Sequence, residues 1–479
     1  MKTLSALFAS AALSAIFAGC AAIHNAREAQ EALAHKGDDG LAPLSAERVD
    51  LRGASLAELV GFALTNRPSV ATKVLAVEDA RLALRQIAAD APVLSETPWT
   101  ALSVALSGKH SESSGGVSAR HGGSWKTDGG ASAVISIDLL LWDFGRYDAR
   151  ARSQVESVIA AEHSLVAETH AVCRQVAAAY FDFMEHRALL AVAFTNRQQY
   201  AEHLVRAEET LKAGEANRLD VLKARLDLAK ARQTVVAASN RVDTSGAALM
   251  QALGMDAGRG TYEEVLGDGA VGTDFVQRGF ARTTDGVEES FAFARTNAPA
   301  MRVARARFRA ASHDVDYAIA NLMPKISAST SFSWTDPLWY WSWAFSAAQS
   351  LVNGGRDVAS VDRAVVALKE AAVEVDAAEQ QLSVDLETAI ANRDNSAHAL
   401  ESAVASVRSA KENLDTVREQ FAVGSASRVD LSDAIAADSQ ARGDCISAFY
   451  DGQRAEAALF AIVGSAPVFT EETVRGEIK

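Results

Sequence analysis

The chain has 479 residues and a formal net charge of −14, which disfavours nucleic acid as a partner because phosphate contacts need a basic surface. Apolar residues make up 49% of the sequence and aromatic residues only 7%, so Ala, Val and Leu supply much of the apolar content. This composition predicts long, closely packed helices rather than a core built on large aromatic side chains.

The N-terminus has the features of an export signal. Lys2 is followed by an apolar stretch, and small residues stand directly before Cys20. This pattern resembles a bacterial lipoprotein signal, in which residues 1–19 are removed and Cys20 is lipidated, followed here by an extended segment over 20–50. The alternative is an ordinary signal peptide that is cut nearby, with Cys20 incidental. Both interpretations take the chain out of the cytoplasm.

A duplicated module organises the rest of the chain. Residues 214–232 match residues 424–442 at an offset of 210, and the offset also holds upstream and downstream of this stretch. A repeat of this length predicts two copies of one structural unit. The first repeat covers 51–253 and the second 287–464, with an equatorial segment at 254–286 and a C-terminal tail at 465–479. The matched pairs include Gly145/Gly355, Arg146/Arg356, Gly214/Gly424, Arg218/Arg428 and Asp220/Asp430.

Each repeat is predicted to contain a helix, a β-hairpin, a long helix, a tight tip and a return helix. The long tracts lack proline and carry apolar residues at three-and-four spacing, which is coiled-coil periodicity. The predicted elements of the first repeat are the hairpin 100–140, the long helix 144–212, the tip 213–218 and the return helix 218–253. Those of the second repeat are the hairpin 326–348, the long helix 355–422, the tip 423–428 and the return helix 428–463.

The lengths of these helices predict how they stack. A long helix would reach about 100 Å at ~1.5 Å per residue, whereas a return helix is about half that length. Two short helices placed end to end therefore have to run back beside each long helix. We expect the helix at 287–322 to continue the first return helix, and the helix at 55–91 to continue the second.

The second hairpin carries an aromatic stripe. Trp339, Trp341, Trp343 and Phe345 alternate with small or polar residues. The hairpin could pack on a helical core, or it could span a membrane with its apolar face against lipid, for which strands of about 9–11 residues suffice. Open sheet edges are not tolerated in lipid, so spanning would require several chains to pool their strands.

Acidic residues lie on the return helices close to both tips. Asp220 and Asp227 are seven residues apart, and Asp430 and Asp433 occupy the same region of the second repeat. In an oligomer, inward copies of these residues would form a constriction that favours cations. The alternative is that they are ordinary solvated carboxylates.

The remaining cysteines and histidines predict no chemistry. Cys173 and Cys445 are about 60 and 30 Å from the tips along their helices, which is too far apart for a disulfide, so both are expected to be buried thiols. The histidines are scattered, and no catalytic or metal-binding motif occurs. We therefore expect no enzyme activity, no metal site and no cofactor.

The order and duplication of these features resemble the TolC-like outer-membrane factor family. The resemblance rests on the strand-to-helix segments WDFGR and VNGGR, on the tips AGEANRLDVLKA and VGSASRVDLSDA, and on a lipoprotein leader typical of one branch. It implies a mainly α fold with a small β part, in which three chains form a 12-stranded β-barrel and an α-helical tunnel. It also implies a passive exit duct in the cell outer membrane, for a tripartite efflux pump or a type I secretion system.

The resemblance further implies partners for the tips. A homotrimer would dock a periplasmic adaptor protein and, through it, an inner-membrane pump or ABC transporter, with its barrel in outer-membrane lipid. The docking residues would be Gly214, Asn217, Arg218, Leu219, Asp220, Gly424, Ser427, Arg428, Val429 and Asp430. These residues could instead only close the hairpins. A periplasmic coiled-coil scaffold or adaptor lipoprotein without a pore is the rival function, and a secreted enzyme is disfavoured.

Overall fold

The computed structural model describes residues 55–89, 101–110, 129–213, 217–255, 287–335, 338–349, 353–423 and 425–463, together with residues 26, 27 and 30. Only the backbone is described at 89, 101–110, 129–139, 287–290, 332–335 and 338–339. The predictions for Cys20, Gly214 and Gly424, and those for nearly all of the segments 20–50, 254–286 and 465–479, lie outside these residues.

Two modules with the same order of helices and strands follow each other along the chain. The first module consists of α1 (Leu56–Asn66), α2 (Pro68–Ala89), β1 (Ala101–His110), β2 (Gly129–Trp142), α3 (Arg146–Lys212) and α4 (Arg218–Ala252). The second consists of α5 (Val287–Asn297), α6 (Pro299–Ala320), β3 (Lys325–Thr335), β4 (Leu338–Ala348), α7 (Arg356–Ala422) and α8 (Arg428–Val463).

The duplication predicted from the sequence is confirmed in the helix bounds. The long helices α3 and α7 both have 67 residues and start 210 residues apart. The proline at the start of α2 and of α6 ends the preceding short helix, because proline cannot donate the backbone hydrogen bond of a helix interior. Among the described residues, no helix is both long and apolar enough to cross a membrane.

A left-handed glycine starts each long helix. Gly145 and Gly355 have φ angles of 84° and 83°, and the helices begin at the next residue, slightly later than the predicted 144 and 355. A Cβ built on Gly145 would meet no atom within 4 Å. The requirement for glycine at this position therefore comes from the backbone and not from crowding.

Gly145→Ala is expected to destabilise the fold by about 1–2 kcal/mol, because other residues pay a steric cost in the left-handed region. Gly61→Ala is the control, since Gly61 lies inside α1 with equally open surroundings and should instead stabilise by up to ~1 kcal/mol. Thermal unfolding of both variants measures the two effects. Equal shifts in the same direction would contradict the backbone argument.

Each return helix is continued by the short helices of its own module. The prediction that the helix at 287–322 continues the first return helix, and the helix at 55–91 the second, was therefore wrong. A Cβ at Gly254, just after α4, would lie 3.2 Å from the backbone oxygen of Asn66, at the α1–α2 junction. In the second module Ile462 near the end of α8 packs with Ala294 and Ala298 at the α5–α6 junction. Helix lengths alone fit both pairings, which is why the sequence did not decide between them. We call α4 followed by α2 the first return column, and α8 followed by α6 the second return column.

The second return column also packs on α3 of the first module. The guanidinium of Arg146 donates to backbone oxygens at the end of α6, at 3.1 Å to Ala320 and 2.6 Å to Met323. Lower down, Arg454 of α8 forms ion pairs with Asp182 at 2.6 Å and Glu185 at 2.8 Å. Helix α3 is therefore held between both return columns.

The four strands form one antiparallel sheet in the order β1-β2-β3-β4. Residues opposite each other in β3 and β4 include Thr330 with Trp343 and Ser331 with Ser342. In the described part of the chain, β1 and β4 each leave one edge without a partner strand. Cys173 and Cys445 are free thiols, as predicted; Cys445 is buried, whereas Cys173 is only half-buried and not buried as expected.

Candidate channel entrance at the helical tips

Both return helices begin with a capping box at the tip. The backbone N–H of Asn217 donates to Asp220 at 3.4 Å, and the backbone N–H of Ser427 donates to Asp430 at 2.8 Å. Each carboxylate satisfies an N–H that the helix leaves free and lies at the positive end of the helix dipole. The hydrogen bonds from Ser427 lower the pKa of Asp430 from its ordinary value. Both aspartates therefore have a local structural role at the start of the helix.

Arg428 connects the two tips of the chain. Its Nε donates to Asp220 Oδ1 at 3.3 Å, and its Nη1 lies 3.8 Å from Asp227 Oδ2. The arginine side chain is 12% exposed, while those of Asp220 and Asp227 are 39% and 23% exposed. A partly buried arginine between two carboxylates holds the start of α8 against the start of α4. We call Arg428, Asp220 and Asp227 the tip ion cluster.

His203 lies in the wall beside this cluster. Its side chain is buried on α3, its Nε2 has no hydrogen-bond partner among the described residues, and its ring lies 6.1 Å from that of Phe421 on α7. Burial lowers the pKa of His203, and the nearby Arg428 and Arg206 lower it further, against the opposing charges of Asp227 and Asp220. The tip therefore favours the neutral imidazole.

Acidification is expected to weaken the packing of the tip through His203. The ordinary pKa of His is 6.5 and the folded value is lower, so the unfolded state binds the proton first as the pH falls. The stabilising contribution is fully present above 6.5 and is lost as the pH drops below it. His203→Asn removes this dependence and copies the residue at the matched position, Asn413. Thermal unfolding of both proteins at pH 7.5 and pH 5 should give a larger acid shift for the wild type, and equal shifts would refute the idea.

The other predicted tip residues are mostly exposed. Leu219 is 52% and Val429 49% exposed at matched positions, and Asp433 and Asp430 face solvent. Arg218, the counterpart of Arg428, is also exposed and makes no hydrogen bond or ion pair with the described residues. Asp438, further along α8, is instead buried and pairs with Arg442 at 2.9 Å. The structure thus brings together Arg428, Asp220 and Asp227 across the two tips. Asn217, Ser427 and Asp430 make only the capping contacts of their own tips, and Leu219, Val429 and Asp433 are exposed.

Sequence reasoning missed His203 and Tyr200. The hydroxyl of Tyr200 on α3 donates to the backbone oxygen of Ser432 at 3.4 Å, next to the tip ion cluster. The residues at the matched positions on α7 are Asn413 and Ala410, so neither His203 nor Tyr200 belongs to the repeated pattern. A search for positions at which the two repeats carry different residues could have identified both His203 and Tyr200.

The aromatic stripe of β4 is exposed at the opposite end of the molecule. Trp341, Trp343 and Phe345 are 66%, 59% and 77% exposed, and the Trp341 indole donates to Thr330 at 2.8 Å. Trp339 belongs to the same strand, but its side chain lies outside the described residues. The stripe therefore does not pack on the helical core of its own chain.

A family model for outer membrane efflux proteins matches residues 59–255 and 293–465, which together are more than half of the sequence. The chain belongs to this family. Membership of this family supports an exit duct over a periplasmic scaffold without a pore. It also places the protein in the outer membrane. Members of the outer membrane efflux protein family are channels and not enzymes. No match was found among curated proteins.

Solved structures of similar fold are themselves outer-membrane proteins. CusC, described in terms of folding and transmembrane channel formation, has a TM-score of 0.73 and 20% identity over 87% of this chain and 93% of its own. VceC of Vibrio cholerae has a TM-score of 0.71 and 16% identity over 86% and 96%. The open MtrE outer membrane channel of Neisseria gonorrhoeae has a TM-score of 0.69 and 20% identity over 86% and 89%. At these identities the likeness establishes the fold of this efflux protein.

Proposed function

We propose that three copies of this outer membrane efflux protein form one exit duct. Each copy contributes four strands to a 12-stranded barrel, and the long helices continue the barrel as a tunnel in the periplasm. The observation that carries the proposal is the open sheet with an exposed aromatic stripe at the end of two long helical hairpins. Two unpaired edges are incompatible with lipid unless other copies pair with them.

The two faces of the second hairpin support this placement. Trp343 and Phe345 lie on one face, which would meet lipid. The opposite face carries hydroxyl pairs, Ser327 with Ser346 at 2.8 Å and Ser331 with Ser342 at 2.7 Å, which would meet water in the lumen. Alternation of this kind is typical of strands that separate lipid from an aqueous pore.

The tips are proposed to be the periplasmic entrance and the docking surface for an adaptor protein. Leu219 and Val429 are apolar, exposed and matched between modules, so each copy would offer two similar contact points. Asn217, Arg218, Ser427 and the capping aspartates surround them. The adaptor would link the duct to an inner-membrane pump or ABC transporter, which supplies the energy for transport.

The tip ion cluster is proposed to hold the entrance closed. Arg428 joins the start of α8 to that of α4, so separating the two hairpins requires its pairing with Asp220 and Asp227 to be lost. Asp430 and Asp433 remain exposed and would add negative charge to the constriction. Engagement of the adaptor would compensate for the loss of these contacts and open the entrance.

Single-channel recording of the detergent-extracted protein in planar bilayers tests the function. We expect discrete, cation-selective steps that are small at neutral pH and change as carboxylates are protonated, together with a trimeric mass in detergent. Replacing Asp220 and Asp430 with Ala should alter the selectivity. A water-soluble monomer without conductance in either form would refute the duct.

A further inference from the structure

A groove lies where α8 passes between the two long helices. It has a volume of about 510 Å³, within the range of about 300–1,000 Å³ that is typical of small-molecule sites, and side chains of α3, α7 and α8 line it. Asp438 lines the groove ten residues after Arg428, which places it about 15 Å along α8 from the tip ion cluster. All three helices belong to one chain, so the groove needs no contact with another copy.

A buried ion pair in this groove leaves polar atoms without hydrogen bonds. Arg442 Nε lies 2.9 Å from Asp438 Oδ2, yet this Nε makes no hydrogen bond with the described residues. The Asp438 side chain is only 3% exposed, and its Oδ1 also lacks a hydrogen-bond partner among them. Asn196 Oδ1, in the same groove, is unpaired as well. Buried polar atoms are normally paired, so two acceptors and one donor point to a missing ligand.

Helix packing does not explain why Asp438 is present. The residue at the matched position on α4 is Leu228, which is 7% exposed and belongs to the apolar core. An apolar residue is therefore sufficient where a return helix packs at this level. A buried carboxylate paired with arginine is often no more stabilising than an apolar residue of similar size. The polar part of the groove is thus specific to α8 and is not required by the repeated architecture.

The groove carries a surplus of positive charge. Its lining contains Arg408, Lys411 and Arg442 against the single carboxylate of Asp438. Lys411 is exposed and makes no ion pair with the described residues. Arg408 pairs with Glu412 of its own helix at 3.3 Å, but both side chains are exposed and such a pair contributes little. The local charge therefore favours an anionic ligand, although the net charge of the chain is −14.

Apolar side chains line the groove beside these charges. Val192 of α3, Val404 and Val407 of α7 and Ile446 of α8 contribute to its walls. Apolar walls with a few polar groups that fix orientation are the usual composition of a site for an organic molecule. An inorganic anion would leave these walls without a partner.

We propose that this groove binds an amphipathic organic anion. Its acidic head contacts Lys411 and Arg442, and an N–H or O–H group beside the head donates to Asp438 Oδ1. Its apolar part lies on Val404 and Val407. The inference goes beyond the proposed duct, because one chain supplies the whole site. Since the ligand contacts both modules, its binding also stabilises the folded chain against unfolding.

Fluorescence titration with anilinonaphthalene sulfonate tests the site, because this probe combines aromatic rings, a sulfonate and an N–H donor. The protein is placed in phosphatidylcholine nanodiscs, and empty nanodiscs serve as the blank. We expect saturable binding of one probe per chain and an unfolding temperature that rises with probe concentration. Phenylnaphthylamine has the same rings and N–H but no sulfonate. It should bind at least about tenfold more weakly, the change expected when one charge-assisted contact is lost.

Two variants and one control locate the bound probe. Lys411→Glu reverses the charge of an exposed side chain and should weaken sulfonate binding by at least about tenfold. Val404→Trp fills the groove from a partly exposed position and should abolish saturable binding. Lys369→Glu is the control, because it makes the same change of charge at an exposed position of α7 outside the groove. It should bind the sulfonate as the wild type does.

Equal affinity of all these variants for the sulfonate would overturn the site, as would a lack of saturable binding by the wild type. Binding that is lost in Val404→Trp but kept in Lys411→Glu would mean that the groove recognises apolar surface and not an anion. Equal affinity of the wild type for the two probes would mean the same. The comparison of probes needs no variant, so it does not depend on how well a variant assembles.

Discussion

Arg428→Ala is expected to open the channel at rest. Each hydrogen bond from a charged group contributes about 1.5–3 kcal/mol, so losing the tip ion cluster shifts the balance of closed and open entrances by about one to two orders of magnitude. The mean current in planar bilayers should rise accordingly at neutral pH. Arg218→Ala should have a smaller effect, because Arg218 is exposed and makes no hydrogen bond or ion pair with the described residues.

The control for this result is Arg418→Ala. Arg418 is also near a tip, but it pairs with Asp415 of its own helix at 3.8 Å, and both side chains are exposed. Exposed pairs of this kind contribute about 0–1 kcal/mol and cannot hold two hairpins together. An unchanged current for Arg428→Ala, or an equal rise for Arg418→Ala, would eliminate the tip ion cluster as the closing contact.

Trp343→Arg is expected to prevent insertion of the duct. Trp343 is the middle residue of β4, and a charged residue facing lipid at mid-depth costs about 2–4 kcal/mol. Three copies per barrel would multiply this cost. The yield of heat-modifiable trimer in outer-membrane fractions measures the effect.

Ala344→Arg is the matched control, since Ala344 is the next residue at nearly the same depth on the hydroxyl-bearing face. An arginine there would be solvated in the lumen, so assembly should continue, with a change only in ion selectivity. Loss of trimer from both variants would mean that the two faces do not separate lipid from water.

The duplication made most of the fold predictable. An offset that runs through the tips and the strand-to-helix segments defined both modules and the ends of α3 and α7. The pairing of short helices within a module was not predictable, because α2 and α6 have the same length and similar patterns. Contacts such as Gly254 against Asn66 decided it, and these depend on the three-dimensional path of the chain.

The site was predictable only where the two repeats agree. Arg428 and Asp220 stood out because each has a counterpart, but their pairing across modules was not visible, since it depends on how α8 packs on α3. His203 has no counterpart, so no repeated pattern pointed to it. The residues that both repeats share therefore identified the tips. Residues that differ between the repeats, such as His203, mark contacts that only one of the two modules makes.

The hydroxyl face of the second hairpin has a consequence for electrical recording. Strands β3 and β4 contain no carboxylate and no histidine, and their only basic residue, Lys325, lies at the end next to the helices. The part of the barrel wall that this hairpin supplies would therefore carry no charge that changes between pH 5 and 8, whereas His203 lies at the tips. A pH titration of the current, compared with that of His203→Asn, would then show how much of the pH dependence of the conductance comes from the tips.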